Sequence, residues 1–137
     1  MRYQFAFYLF IVSLLAACDD APLPVKKNID LLGKSIAAYY AIEKKDERGP
    51  IRNYYVYVSD TTKIAAINDY LKGLYNSDGT NHLTIFYFDK KNIGSTYMAK
   101  VLNQKTSSKE LDRLFKHFVG HYNFNPSTGD NTLSNPH

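Results

Sequence analysis

The chain has 137 residues, enough for one domain with a modest core and too few for two. At 45% hydrophobic and 22% charged it has the composition of an ordinary folded protein, and its 12 Tyr without any Trp suit a small sheet with thick rims or a surface that meets a partner. The single cysteine, Cys18, excludes an intramolecular disulfide and a thiolate metal cluster, and a formal net charge of +4 is only mildly basic.

At the amino terminus, Arg2 precedes a run from Phe5 to Ala17 that is apolar except for Ser13 and closes in Leu15-Ala16-Ala17-Cys18. A charged start, a short hydrophobic run and small residues before a cut describe an export signal, too short for a comfortable membrane span. Leu-Ala-Ala-Cys in this place resembles the lipobox of bacterial lipoprotein precursors, because a small-residue cut site and the sole cysteine coincide directly after the run. The resemblance implies that residues 1–17 are a signal peptide, that the Cys18 sulfur carries diacylglycerol, and that Cys18 becomes the new first residue. Two acyl chains give durable anchoring at about 0.8 kcal/mol per buried methylene. The competing reading is an uncleaved anchor, or an ordinary signal with an incidental cysteine.

Asp19 and Asp20 follow directly. Acidic residues here resemble an inner-membrane retention signal in enterobacterial lipoproteins and accompany surface export in other groups, so the leaflet stays open. Residues 18–28, with Pro22 and Pro24 and no period, read as the lipidated cysteine and a flexible tether. The resemblance reaches about residue 20, and the following domain resembles no named family.

A single domain is expected over residues 29–124. Ile36 to Lys44 alternates and reads as a first strand, with a helix from Ile29 to Tyr40 as the competing assignment. Lys45 to Arg48 and then Gly49-Pro50 stop it, which predicts an antiparallel hairpin into the strand Ile51–Val58. Asp60 is placed to cap a helix over Thr61–Tyr75, whose apolar stripe is Ile64, Ile67, Leu71 and Leu74, with Lys63, Asn68, Asp69 and Lys72 turned away. Asn76 to Gly79 ends that helix, and His82–Phe88 is a third strand. Strands Ile51–Val58 and His82–Phe88 are apolar at odd and even positions alike, which puts them at the centre of the sheet. A crossover helix makes them parallel if they are neighbours, or leaves room for a hairpin strand between them.

After a polar turn over Asp89–Gly94, Thr96 to Leu102 alternates and reads as a further strand or edge piece. Ser107 with Glu110 has the form of a capping box, opening a helix that ends near Phe115 or Lys116. Residues 117–124 read as a final edge strand, with a continued helix as the alternative. The polar residues 125–137 bury too little to be ordered and are expected to be a mobile tail. The fold class expected is α+β, a small two-layer sandwich in which an antiparallel or mixed sheet of about four strands is packed by one or two helices.

Reactive constellations are sparse. His117 and His121, four apart, share a face of a helix or strand and could begin a zinc or copper site, but no cysteine accompanies them and no Glu follows His117 in the metalloprotease manner. Asp60 and Asp89 each follow an inner strand and could meet at one sheet edge for acid and base work, although capping and turn formation account for both. There is no Gly-x-Ser-x-Gly elbow and no glycine-rich phosphate loop. No cofactor is implied, and an exported, lipid-anchored domain does not meet nucleic acid. By elimination the leading expectation is a non-enzymatic protein-binding module of the cell envelope, of inhibitor, immunity or exclusion type, using Tyr-rich strand faces. A small envelope enzyme or metal-binding protein using His117, His121 and the strand-end aspartates is the second reading, and a structural envelope component the third.

Overall fold

The computed structural model describes residues 24–134, so the expected signal peptide, Cys18 and the first part of the expected tether lie outside the described residues. Helix α1 (Pro24–Ile36) runs through a short 3-10 turn (Ala37–Tyr39) into β1 (Tyr40–Arg48). After β2 (Ile51–Val58) a second 3-10 turn (Thr61–Lys63) opens α2 (Ile64–Tyr75), and β3 (His82–Phe88) follows. Helices α3 (Ile93–Val101) and α4 (Ser108–Phe115) precede β4 (Phe118–Asn125) and β5 (Asp130–Ser134). The five strands form one sheet in the order β1-β2-β3-β4-β5, antiparallel throughout except for the parallel pair β2/β3. This is the expected α+β arrangement of a mixed sheet packed by helices, carrying five strands instead of about four and, among the described residues, four helices instead of one or two.

The central unit matches the sequence reading closely. Gly49, at φ +56°, makes the hairpin turn that joins β1 to β2. Asp60 accepts from the Thr62 backbone N–H at 3.0 Å and caps the turn that opens α2. The crossover leaves β2 and β3 as parallel neighbours, with Tyr54 opposite Ile85 and Val56 opposite Tyr87. Helices α1 and α2 cover one face of this unit. There Tyr54, Val56, Val58, Leu83, Ile85 and Tyr87 meet Ile36, Ile64, Ile67 and Leu71 in a single buried cluster.

Three tyrosines lie deep in that core, each with its hydroxyl satisfied. Tyr87 donates to Asn68 Oδ1 and Tyr122 to Asn131 Oδ1, both at 2.8 Å, and Tyr54 donates to Glu47. A buried tyrosine needs such a partner to offset desolvation of its hydroxyl. Burial pushes the Tyr54 hydroxyl up to about 12 and raises that of Tyr87 further.

Several expectations are corrected. The segment Ile36–Lys44 is not one strand: a helix occupies Pro24–Ile36, so structure begins inside the stretch 18–28 expected to be tether. The reason is packing. Gly33 and Gly73 let α1 and α2 approach so closely that a Cβ at Gly33 would lie 2.6 Å from the Tyr70 ring. The charged residues Lys45–Arg48 continue β1 instead of stopping it, held by pairing with Ile51–Tyr54.

On α2, Asn68 is buried and Leu74 is 48% exposed, the reverse of the expected stripe, because the covered positions run Ile64, Ile67, Asn68 and Leu71 at spacings of three, four and seven. Of Thr96–Leu102, expected as a strand, Thr96–Val101 lies in helix α3 and Leu102 caps it. Asn92 adopts the left-handed conformation at φ +64°, and the Glu43 carboxylate, reaching across from β1, accepts from the backbone N–H groups of Asn92 and Gly94 and so supplies the N-terminal cap of α3.

The strand over residues 117–124 is β4, and it is interior instead of an edge, because the expected mobile tail contributes β5. Every residue of β5 is exposed. Its order comes from backbone pairing with β4, the Gly129 turn and the Tyr122 to Asn131 hydrogen bond, none of which depends on apolar burial.

Candidate binding face

The register of the sheet lines up side chains on the face opposite α1 and α2. At one level Lys44, Tyr55, Phe86, His121 and Ser134 stand opposite one another across all five strands. At the next level Asp46, Asn53, Thr84, Asn123 and Thr132 form a polar row. Tyr55, Phe86, His121, Asn53, Thr84 and Asn123 are all half-buried, whereas Tyr54, Val56, Leu83, Ile85, Tyr87 and Tyr122 on the other face are buried. Alternation along β2 and β3 therefore serves two surfaces, one a core and one partly open.

The aromatic row is continuous. Tyr55 stacks on Phe86 at 5.2 Å between centroids, Phe86 adjoins Phe118 at 6.5 Å, and Phe118 lies between Phe115 at 4.8 Å and His121 at 6.0 Å. Helix α3 covers one end of this face, where Gly94 is the residue that lets its backbone down. A Cβ there would fall 3.0 Å from Tyr55 Cβ and 3.3 Å from the Phe88 ring. Phe88 is fully buried beneath Tyr97, while Phe115 at the margin is half exposed. Burial raises the Tyr55 hydroxyl above the ordinary tyrosine value, with Asp46 adding to the effect.

Part of the polar row is tied together. His82 Nε2 lies 3.1 Å from Asn123 Oδ1, and Thr84 Oγ1 donates to the same oxygen at 3.5 Å. An aromatic strip bordered by polar groups has the makeup of a protein-binding patch, since aromatic anchors carry binding energy and the polar margin sets orientation.

The residues singled out for chemistry are dispersed. His117 and His121 do not share a strand face. A bulge between Tyr87 and Phe88 on the β3/β4 pair shifts the alternation, which brings Phe118 onto the face of His121 and leaves His117 before the strand. His117 Nδ1 instead meets Asp89 Oδ1 at 2.9 Å, while its carbonyl accepts from the Asp89 N–H at 3.0 Å. The two residues clasp the connection between β3 and β4. Asp60 and Asp89 do follow parallel neighbouring strands, but Asp60 spends its carboxylate on Thr62, which together with the Thr62 N–H holds it below the usual carboxylate range.

Among the described residues no three His, Cys, Asp or Glu side chains gather as a metal site, and no helix is long and apolar enough to cross a membrane. Sequence reasoning named the aromatic strands but missed the row itself, because the register that aligns Tyr55, Phe86 and His121 is a property of the assembled sheet. No protein family, curated protein or solved structure matches the chain.

Proposed function

We propose that this protein is a non-enzymatic protein-binding module of the bacterial cell envelope, of inhibitor, immunity or exclusion type, anchored through lipid on Cys18 and meeting its partner through the open sheet face. The observation that carries the binding reading is the half-exposed row Tyr55, Phe86 and His121, continued by Phe118 and Phe115. Stacked rings lose little conformational freedom on binding, so contact made through them costs less than contact made through flexible side chains. The anchoring reading rests on Leu15-Ala16-Ala17-Cys18.

Site-specific photo-crosslinking in the native membrane tests the face. A photoreactive residue at position 86 or 121 should give adducts of one defined mass, and one at exposed Lys34 or Ala65 on the opposite side should not. Equal adducts from both sides, or none from either, would refute the assignment. Anchoring is tested separately by Cys18→Ser, which should abolish palmitate incorporation and release the protein from sedimented membranes. A variant still labelled and sedimented like the parent would refute it.

A further inference from the structure

The basic charge of the chain is not evenly spread. Between Asp89 and Lys116 there are seven Lys and Arg against Asp89, Glu110 and Asp112, whereas the rest of the chain from Cys18 onward has nine basic and ten acidic residues. The segment that holds α3 and α4 thus carries a surplus of four positive charges, while the remainder downstream of Cys18 has one more acidic residue than basic. Within it Lys100 is the basic residue engaged in a salt bridge among the described residues, to Glu110 at 2.9 Å.

That bridge, together with the contact of Tyr97 with Phe115 at 6.3 Å, sets the two helices antiparallel, so residues 102–107 form the tip of a helical hairpin. The tip is ordered. Leu102 N–H donates to the Met98 carbonyl, Thr106 N–H to the Asn103 carbonyl, and Lys105 N–H to Asn103 Oδ1. It nevertheless holds Val101 at 49% and Leu102 at 68% exposure, and Leu102 is the most exposed large apolar side chain among the described residues. A single exposed leucine is ordinary. An aliphatic pair held out on a hydrogen-bonded turn, inside a segment with surplus positive charge, has the makeup of a surface that enters a lipid interface while its lysines lie against headgroups.

We propose that the α3–α4 tip seats on an anionic phospholipid surface, with Val101 and Leu102 entering the interface and Lys105 and Lys109 against the headgroups. Charge complementarity selects this occupant, and the apolar run Phe5–Ala17 independently addresses the chain to a membrane. The inference does not depend on lipid at Cys18 or on the binding role of the sheet face. Each lysine near an anionic surface strengthens attachment about fivefold, and the effect is screened by salt.

The test uses the full chain with Cys18→Ser and Leu102→Cys, labelled with an environment-sensitive fluorophore at position 102 and reconstituted into vesicles that carry a headgroup-depth quencher. In vesicles containing phosphatidylglycerol the emission should shift to the blue and be quenched. The shift should be lost in pure phosphatidylcholine, at high salt, and in Lys105→Glu/Lys109→Glu, while the exposed control pair Lys34→Glu/Lys44→Glu retains it. An unchanged thermal midpoint for both pairs excludes misfolding. No quenching in either lipid, equal quenching in both, or equal loss from the two charge pairs would overturn the proposal.

Discussion

The hydrogen bond between Tyr87 and Asn68 offers a sharp test of how the core is specified. Tyr87 is fully buried, Asn68 is 3% exposed, and the hydroxyl donates to Oδ1 at 2.8 Å across the contact between β3 and α2. In Tyr87→Phe the ring still fills its place, but the asparagine oxygen is left buried without its donor. The cost of such an orphan is about 1–3 kcal/mol, well above the net worth of the bond, because the group cannot return to water. At about 4 °C per kcal/mol for a domain of this size the melting midpoint should fall by about 4–12 °C. Asn68→Leu, which strands the hydroxyl instead, should cost a similar amount. The double variant should be more stable than the sum of the two losses by about 1 kcal/mol or more, since both partners are then apolar. Chemical denaturation of all four proteins gives the coupling directly. Strict additivity, or a Tyr87→Phe variant as stable as the parent, would show that the pair does not hold α2 on the sheet.

Truncating Ile67 or Ile85 to alanine, both fully buried between α2 and the sheet, should cost about 2–5 kcal/mol by denaturant midpoint, and a loss below about 1 kcal/mol would contradict a packed core at that place. Helix propensity alone would favour alanine over glycine by about 1 kcal/mol. Gly33→Ala should nonetheless lower the thermal midpoint because its Cβ meets the rigid Tyr70 ring, whereas Gly73→Ala should be nearly neutral because the Ile29 tip it meets can turn aside. The Tyr54 hydroxyl, raised to about 12 by burial and by Glu47, contributes stability that is fully present below the ordinary tyrosine value of 10 and is lost as pH rises through about 12. Denaturation across pH 9 to 12 should therefore show a shallower alkaline loss for Tyr54→Phe than for the parent, and identical slopes would contradict the assignment.

Local pattern was sufficient to read the central unit. In Ile51–Val58 and His82–Phe88 the β-branched and aromatic runs are bounded by Gly49-Pro50, Asp60 and Asp89, and the stripe Ile64, Ile67 and Leu71 has a helical period, so composition and spacing agree with the final fold there. Where pattern and structure part, a distant group decides. Thr96–Leu102 alternates like a strand, yet Glu43, far away in the chain, caps its first turn and Gly94 admits it against Tyr55. Residues 130–134 have little to bury besides Leu133, yet β4 offers a row of unpaired backbone groups that they satisfy. The candidate face divides in the same way. Its aromatic residues were visible in the sequence, but their alignment into one row follows from the register of five strands and from the bulge that brings Phe118 beside His121. Register is set by contacts between segments far apart in the chain, and no local period encodes it.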